Sequence, residues 1–75
     1  MVKRISELKK GDRGCVAFVD RRDSLGIRLL ELGLVPGTPV QFLCNASRKG
    51  PCEISVKGSR ITLGLAEAEA ICVTI

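Results

Sequence analysis

Histidine, tryptophan and tyrosine are absent from this 75-residue chain, and Phe18 and Phe42 are its only aromatic residues. Histidine is the commonest general base and a frequent metal ligand, so its absence removes the Ser-His and Cys-His pairs of nucleophilic enzymes. The eight acidic residues are scattered, and no G-x-x-x-x-G-K-[ST] loop is present to hold a phosphate. We therefore expect a protein that is not an enzyme.

Long apolar runs are also absent. The longest has five residues, CVAFV from Cys15 to Val19, whereas a helix needs about 20 to cross a bilayer. The charged N-terminus is not followed by the apolar segment of a signal peptide. We therefore expect a cytoplasmic protein without membrane insertion, in which the cysteines stay reduced. The cysteines are Cys15, Cys44, Cys52 and Cys72.

Length and composition favour one folded domain spanning residues 1–75. A chain this short buries only about 60% of its unfolded surface and cannot divide its core between two units. Apolar residues make up 45% and charged residues 27%, which is an ordinary globular balance. The net charge is +4, and the excess of basic residues lies in the first 30 residues. Such an excess attracts anionic surfaces, although a solvated basic face kept for solubility has the same composition.

A short helix is predicted after the first strand. Asp23 or Ser24 can cap its N-terminus, and the apolar residues that follow recur at helical spacing. Gly33 falls where the chain leaves the helix with positive φ, which glycine adopts without steric cost. The apolar stripe comprises Leu25, Leu29 and Leu32, widened by Ile27 and Leu30.

A tight turn is predicted directly after the helix. Val35-Pro36-Gly37-Thr38 fits a type II turn, because proline presets φ at the second position and Gly37 tolerates the positive φ of the third. Beyond this turn the apolar period changes from 3.6 to 2. The segment from Leu32 to Thr38 therefore predicts an elbow that joins a helix to a strand.

Five short strands account for most of the remaining chain. The segment 15–19 is apolar at odd and even positions alike, so we expect both faces of this strand to be covered and Phe18 to be buried. Segments 40–44, 52–57, 60–63 and 71–75 follow, with Gly58 in a turn and one helical turn at AEAEA. Strict alternation places Val40, Phe42 and Cys44 on one face and Leu43 on the other. This order predicts a mainly β, partly open SH3-like barrel with one short helix after the first strand.

The cysteines leave two interpretations open. Their separations match no zinc-finger spacing, and small buried core residues are one explanation. The other concerns Cys44 and Cys52, which would face each other at the mouth of a hairpin around loop 45–51. With Glu53 nearby they would form an incomplete, weak site for iron or zinc, completed by water or a second molecule. No tightly bound cofactor is expected.

The pattern L-x-x-L-G-L-x-P-G-T-x-V, from Leu29 to Val40, resembles the FeoA family. These are small cytosolic accessory proteins of bacterial and archaeal ferrous iron uptake. Similar domains lie at the C-terminus of iron-dependent repressors of the diphtheria toxin repressor class. The resemblance implies an SH3-like barrel that associates with FeoB, a membrane transporter with a cytosolic GTPase domain. Ser47-Arg48-Lys49 departs from the loop of relatives, which carries an acidic residue. The motif positions include Leu29, Leu32, Gly33, Pro36 and Gly37, and farther on Gly58.

Three functions are compatible with these residues. The resemblance favours a module that binds the cytosolic part of a FeoB-type transporter, with candidate contacts at Leu43, Arg48, Lys49 and Arg60. A small basic barrel that binds nucleic acid is disfavoured, because the chain lacks exposed aromatic platforms. A metal-responsive or metallochaperone domain that uses cysteine thiolates is the third. Open edge strands would also allow pairing between copies.

Overall fold

A computed structural model describes residues 1–45 and 51–75 of the chain. Within these ranges six strands form one antiparallel sheet in the order β1-β6-β2-β3-β4-β5. The strands are β1 (Val2–Arg4), β2 (Arg13–Val19), β3 (Pro39–Asn45), β4 (Cys52–Val56), β5 (Ser59–Leu63) and β6 (Ile71–Thr74). The helices are a 3-10 turn (Ile5–Glu7), α1 (Ser24–Glu31) and α2 (Leu65–Ala70).

The architecture is mainly β, as predicted, with two differences in its elements. The described chain has six strands where five were expected, because β1 pairs with β6 through Val2 opposite Thr74 and Arg4 opposite Cys72. The short, charged segment of β1 has no apolar alternation to reveal it, so the pairing with β6 is what makes it a strand. AEAEA belongs to the six-residue helix α2. No helix in the described ranges is long and apolar enough to span a membrane.

Strand β2 connects the two halves of the sheet. Its first residues, Arg13 to Cys15, pair with β3, and its later residues, Cys15 to Val19, pair with β6. The register shifts between Val16 and Phe18, and a second shift interrupts β3 between Phe42 and Cys44. Bulges of this kind bend a strand and increase its twist. The curved sheet therefore has an inner face that holds the core and an outer face that is open.

The core is formed by the inner face together with one side of α1. The largest side chains with under 2% exposure are Ile5, Val16, Leu29, Leu34, Ile54, Leu63, Ile71 and Val73. Phe42 is also buried, as predicted, but Phe18 is 47% exposed. The prediction that both faces of β2 are covered is therefore wrong. Phe18 follows the bulge, and burial along β2 falls on Val16 instead.

The start of α1 is held by a carboxylate and a close backbone contact. Asp23 is the N-cap and accepts a hydrogen bond from the Gly26 amide at 3.3 Å. The Asp23 carboxylate also pairs with Arg21, and this hydrogen bond lowers the pKa of Asp23 below its ordinary value of 3.8. A Cβ atom at Gly26 would overlap the carbonyl oxygen of Arg21. The chain before the helix therefore folds back over the position of Gly26.

The elbow after α1 has the two predicted left-handed positions. Gly33 has φ of 97° and Gly37 has φ of 92°, and the Thr38 amide donates to the Val35 carbonyl at 3.1 Å. The turn is joined to β2 by two further bonds. The Gly37 amide donates to the Val16 carbonyl at 2.7 Å, and the Val16 amide donates to the Thr38 carbonyl at 2.8 Å. The elbow is therefore fastened to the strand at the centre of the sheet.

Arg4 joins the first strand to the last part of the chain. Its Nη1 donates to the Glu69 carbonyl at 2.6 Å, and its Nη2 donates to the Asp20 carboxylate at 3.3 Å. Its backbone amide donates to the Glu7 carboxylate at 2.9 Å. Arg4 thus links β1 to Asp20, which follows β2, and to Glu69, near the end of α2. These contacts stabilise β1, which has only one neighbouring strand in the sheet.

Gly26→Ala tests the close contact at the start of α1. Alanine normally stabilises a helix by about 1 kcal/mol relative to glycine. Here the added methyl group must displace the Arg21 backbone, so we expect a loss of about 2 kcal/mol in the free energy of unfolding, measured with urea. Ser24→Ala, at an exposed position of the same helix, is the control and should change stability by less than about 0.5 kcal/mol. A more stable Gly26→Ala variant would contradict the contact.

Asp23→Asn tests the charge at the N-cap. A lowered carboxyl pKa contributes stability above pH 3.8 that is lost as the pH falls through the folded-state pKa. Asparagine keeps an oxygen for the Gly26 amide but does not titrate in this range. We therefore expect urea unfolding to show a smaller loss of stability between pH 7 and about pH 3 in the variant than in the wild type. Glu31→Gln, at the other end of α1, should retain the wild-type dependence.

Candidate partner-binding surfaces

The outer face of the sheet brings together polar and basic side chains from four strands. Arg13 pairs with Gln41, Gln41 with Ser55, and Ser55 with Arg60, so one row crosses β2, β3, β4 and β5. Lys57 lies two residues beyond Ser55, just past the end of β4. We call Arg13, Gln41, Ser55, Lys57 and Arg60 the basic face. It exists because the apolar residues between these positions point into the core.

A shallow cleft of about 560 Å³, widely open to solvent, lies over part of the basic face. The cationic side chains of Arg13 and Lys57 and the polar side chains of Gln41 and Ser55 contribute to its walls. Its lining is Arg13, Gly14, Cys15, Pro39, Val40, Gln41, Ser55 and Lys57, which includes no carboxylate. The cleft therefore offers hydrogen-bond donors and positive charge to a ligand.

A second surface is the exposed apolar side of α1 and the elbow. Ile27 is 55% exposed, Leu30 43%, Leu32 42% and Val35 41%. We call these four residues the apolar ridge. The helix reaches the core mainly through Leu29, so its other side has no cover within the described chain. The predicted stripe was therefore only partly buried.

The sequence contained the signal for this ridge. At 100° per residue, Ile27 and Leu30 lie on the opposite side of a helix from Leu25 and Leu29. Five apolar residues in an eight-residue helix and its C-cap are more than one buried face can hold. Leu32 lies within about 20° of the angular position of Leu25, but it follows the last helical residue, where the chain turns away.

The predicted contact between Cys44 and Cys52 is wrong. The bulge after Phe42 pairs Cys44 with Glu53 and leaves Cys52 opposite Asn45. Cys44 is consequently exposed, whereas Cys52 is buried in the core. Strict alternation had placed Cys44 on the face of Val40 and Phe42, and the extra residue in β3 moves it to the outer face.

The chemistry of the two thiols follows from these positions. The Cys44 thiol donates to the Glu53 carboxylate at 3.3 Å, and this hydrogen bond raises the pKa of Cys44. Burial raises the pKa of Cys52. Among residues 1–45 and 51–75, no three cysteine, aspartate or glutamate side chains are grouped as metal ligands would be. Weak iron or zinc binding by Cys44 and Cys52 stays a prediction, without the facing geometry on which it was based.

Two of the four other predicted contacts, Leu43 and Arg60, lie within the described residues. Arg60 is 74% exposed on the basic face, with Nη1 4.0 Å from the Glu53 carboxylate. Leu43 is half-buried at the bulge of β3. Arg48 and Lys49 lie outside the described residues. Of the motif positions, Gly58 has φ of 81° in the turn between β4 and β5, and Pro36 is exposed in the elbow.

A family model and a solved structure both relate this chain to FeoA proteins. The FeoA domain family model matches residues 3–75. A crystal structure of an iron uptake regulatory protein, FeoA, is 34% identical, with 97% of this chain and 96% of that one covered and a TM-score of 0.87. No curated protein sequence matched.

Two further structures define the fold. FeoA of Stenotrophomonas maltophilia, a prokaryotic SH3 domain protein solved with zinc, is 28% identical, with coverage of 96% and 89% and a TM-score of 0.85. IdeR of T. acidophilum is 25% identical, with 99% of this chain but 34% of that one covered and a TM-score of 0.84. The SH3-like fold predicted from the sequence is therefore confirmed, as is its occurrence within a larger regulator.

Glu53→Gln tests the hydrogen bond to Cys44. Removing the negative charge lowers the pKa of the Cys44 thiol towards its ordinary value, so more thiolate is present at a given pH. We expect severalfold faster alkylation of Cys44 by iodoacetamide at mildly alkaline pH, followed by peptide mass spectrometry. Cys15 is exposed in the same molecule and serves as the internal control. An unchanged rate at Cys44 would show that Glu53 does not hold the thiol proton.

Proposed function

This chain belongs to the FeoA family of ferrous iron transport, and we propose that it is a non-catalytic accessory protein that binds the cytosolic part of a FeoB-type transporter. The proposal sets its site of action at the cytoplasmic side of the membrane. Binding would act by favouring one conformation of the transporter, since a ligand shifts an equilibrium only when it binds one state more tightly. No reaction on the chain itself is needed.

The apolar ridge is the observation that supports this proposal most directly. Four apolar side chains, each more than 40% exposed, lie within nine residues from Ile27 to Val35. Small domains rarely leave grouped apolar side chains in water unless a partner covers them. The centre of a protein interface is typically apolar with a polar rim, and Arg28 and Glu31 provide polar neighbours on the same helix. The occupant we propose is an apolar patch on the transporter's cytosolic part.

The contacts predicted from the sequence remain part of the proposal. Arg60 lies on the basic face, and its exposed guanidinium is accessible to a carboxylate of the partner. Leu43 lies in β3 and stays a predicted contact, as do Arg48 and Lys49, which lie outside the described residues. The ridge is therefore the centre of the proposed interface, and these residues are candidates for additional contacts.

The test is recovery of the FeoB-type transporter from detergent-solubilised membranes on the tagged chain. We expect the double variant Ile27→Ser, Leu30→Ser to bind about 100-fold more weakly, because each side chain contributes through burial of apolar area. The variant should fold, since both positions are exposed in the free protein. Thermal unfolding checks this.

A matched control is available outside the apolar ridge. Val2 is 55% exposed and Ile75 is 51% exposed, so Val2→Ser, Ile75→Ser makes a similar apolar-to-polar change at residues that do not belong to α1 or the elbow. Recovery of the transporter should be unchanged in this control. Equal binding by the ridge variant and the wild type would exclude the ridge as the interface, and failure of the wild-type chain to recover any transporter would contradict the proposed function.

A further inference from the structure

Most acidic side chains of this protein accept hydrogen bonds within the described chain, whereas two basic side chains that line the cleft form no ion pair there. Six carboxylates accept hydrogen bonds from backbone amides, arginines or a thiol: Glu7, Asp12, Asp20, Asp23, Glu53 and Glu67. In the described ranges the ion pairs engage Arg4, Arg21 and Arg60. Arg13 and Lys57, which both line the cleft, are not among them. The positive charges of Arg13 and Lys57 are therefore not neutralised by an ion pair within the described chain, whereas that of Arg60 is partly balanced by Glu53.

The arrangement of the basic face suits an extended anionic chain. Arg13 and Arg60 end a row that crosses four strands, so their Cα atoms are about 15 Å apart at the usual strand spacing. An extended peptide covers that distance with about five residues. Gln41 and Ser55 lie between the two arginines and can donate hydrogen bonds along the path. Arginine binds carboxylates through paired hydrogen bonds.

The basic face adjoins the apolar ridge. A Cβ atom at Gly33 would lie 3.6 Å from the Lys57 ammonium nitrogen, so this side chain reaches the elbow that ends α1. Leu32 and Val35 of the ridge flank Gly33 in the chain. A protein that covers the ridge therefore comes within reach of Lys57 and of the cleft beside it.

We propose that the basic face binds an extended segment rich in aspartate and glutamate, carried by the same protein that covers the apolar ridge. The identity of that protein rests on the proposed function, whereas recognition of an acidic segment does not. A polypeptide fits better than a nucleic acid. The cleft lining contains no aromatic side chain on which bases could stack, because Phe42 is buried and Phe18, although 47% exposed, does not line the cleft.

The direct test is an NMR titration of the isotope-labelled chain with a hexaglutamate peptide at low salt. We expect amide shifts centred on Arg13, Gln41, Ser55 and Lys57. Hexaglutamine should produce none, because it keeps the length but lacks the charge. Raising the salt concentration should weaken binding, since exposed charges are screened. Shifts centred elsewhere, or equal shifts with hexaglutamine, would overturn the proposal, as would tighter binding of oligothymidylate than of hexaglutamate.

Matched variants separate a local site from general attraction. Arg13→Gln, Lys57→Gln should weaken hexaglutamate binding about tenfold, as expected for two exposed charge contacts. Arg22→Gln, Arg28→Gln changes the net charge equally but lies outside the basic face, and binding should stay within about twofold of wild type. Equal loss in both double variants would show that only net charge matters and would overturn the proposal.

Recovery of the transporter then distinguishes this inference from the proposed function. If both hold, Arg13→Gln, Lys57→Gln recovers less transporter than wild type, and added hexaglutamate competes with it. If wild-type chain recovers no transporter while hexaglutamate still binds the basic face, the proposed function fails and recognition of acidic segments stands. If the transporter is recovered equally by wild type and the Arg13, Lys57 variant, the acidic segment is not part of that interface and this inference fails.

Discussion

The hydrogen bonds between the elbow and Val16 are the constraint on which the rest of the structure depends. Two bonds, from the Gly37 amide to the Val16 carbonyl and from the Val16 amide to the Thr38 carbonyl, attach the end of the helical segment to β2. Because β2 pairs with β3 on one side and β6 on the other, α1 is positioned relative to both halves of the sheet. The buried side of α1, and therefore the side left exposed, follow from this attachment.

The two candidate surfaces consist of side chains that the interior of the fold does not use. Carboxylates cap α1 and α2 and hold the arginine of β1, because a helix start needs acceptors for its free amides. Arg4 and Arg21 pair with carboxylates inside the fold, whereas Arg13 and Lys57 form no ion pair within the described chain and line the outer face. The core takes Leu29 and Leu34 and has no room for the opposite side of α1. An apolar surface and a basic surface thus meet beside Gly33.

The cysteines show how a single bulge changes the chemistry of a site. With uninterrupted pairing, Cys44 would lie on the inner face near Cys52, where two thiols could share a metal ion. The extra residue in β3 moves Cys44 to the outer face, where its thiol donates a hydrogen bond to the Glu53 carboxylate. The hydrogen bond to Glu53 raises the pKa of the Cys44 thiol. The surfaces of the described chain that are candidates for binding a partner are the apolar ridge and the basic face.

The sequence by itself determined the features that depend on neighbouring residues. These are the mainly β class, a helix cap at Asp23 or Ser24, the left-handed Gly33 and Gly37, and most strand positions, since each follows from local backbone preferences. Only the tertiary structure decided the pairing of β1, the bulges in β2 and β3, the exposure of Phe18 and the position of Lys57 beside the helix end. These depend on contacts between residues far apart in the chain, which no local periodicity encodes.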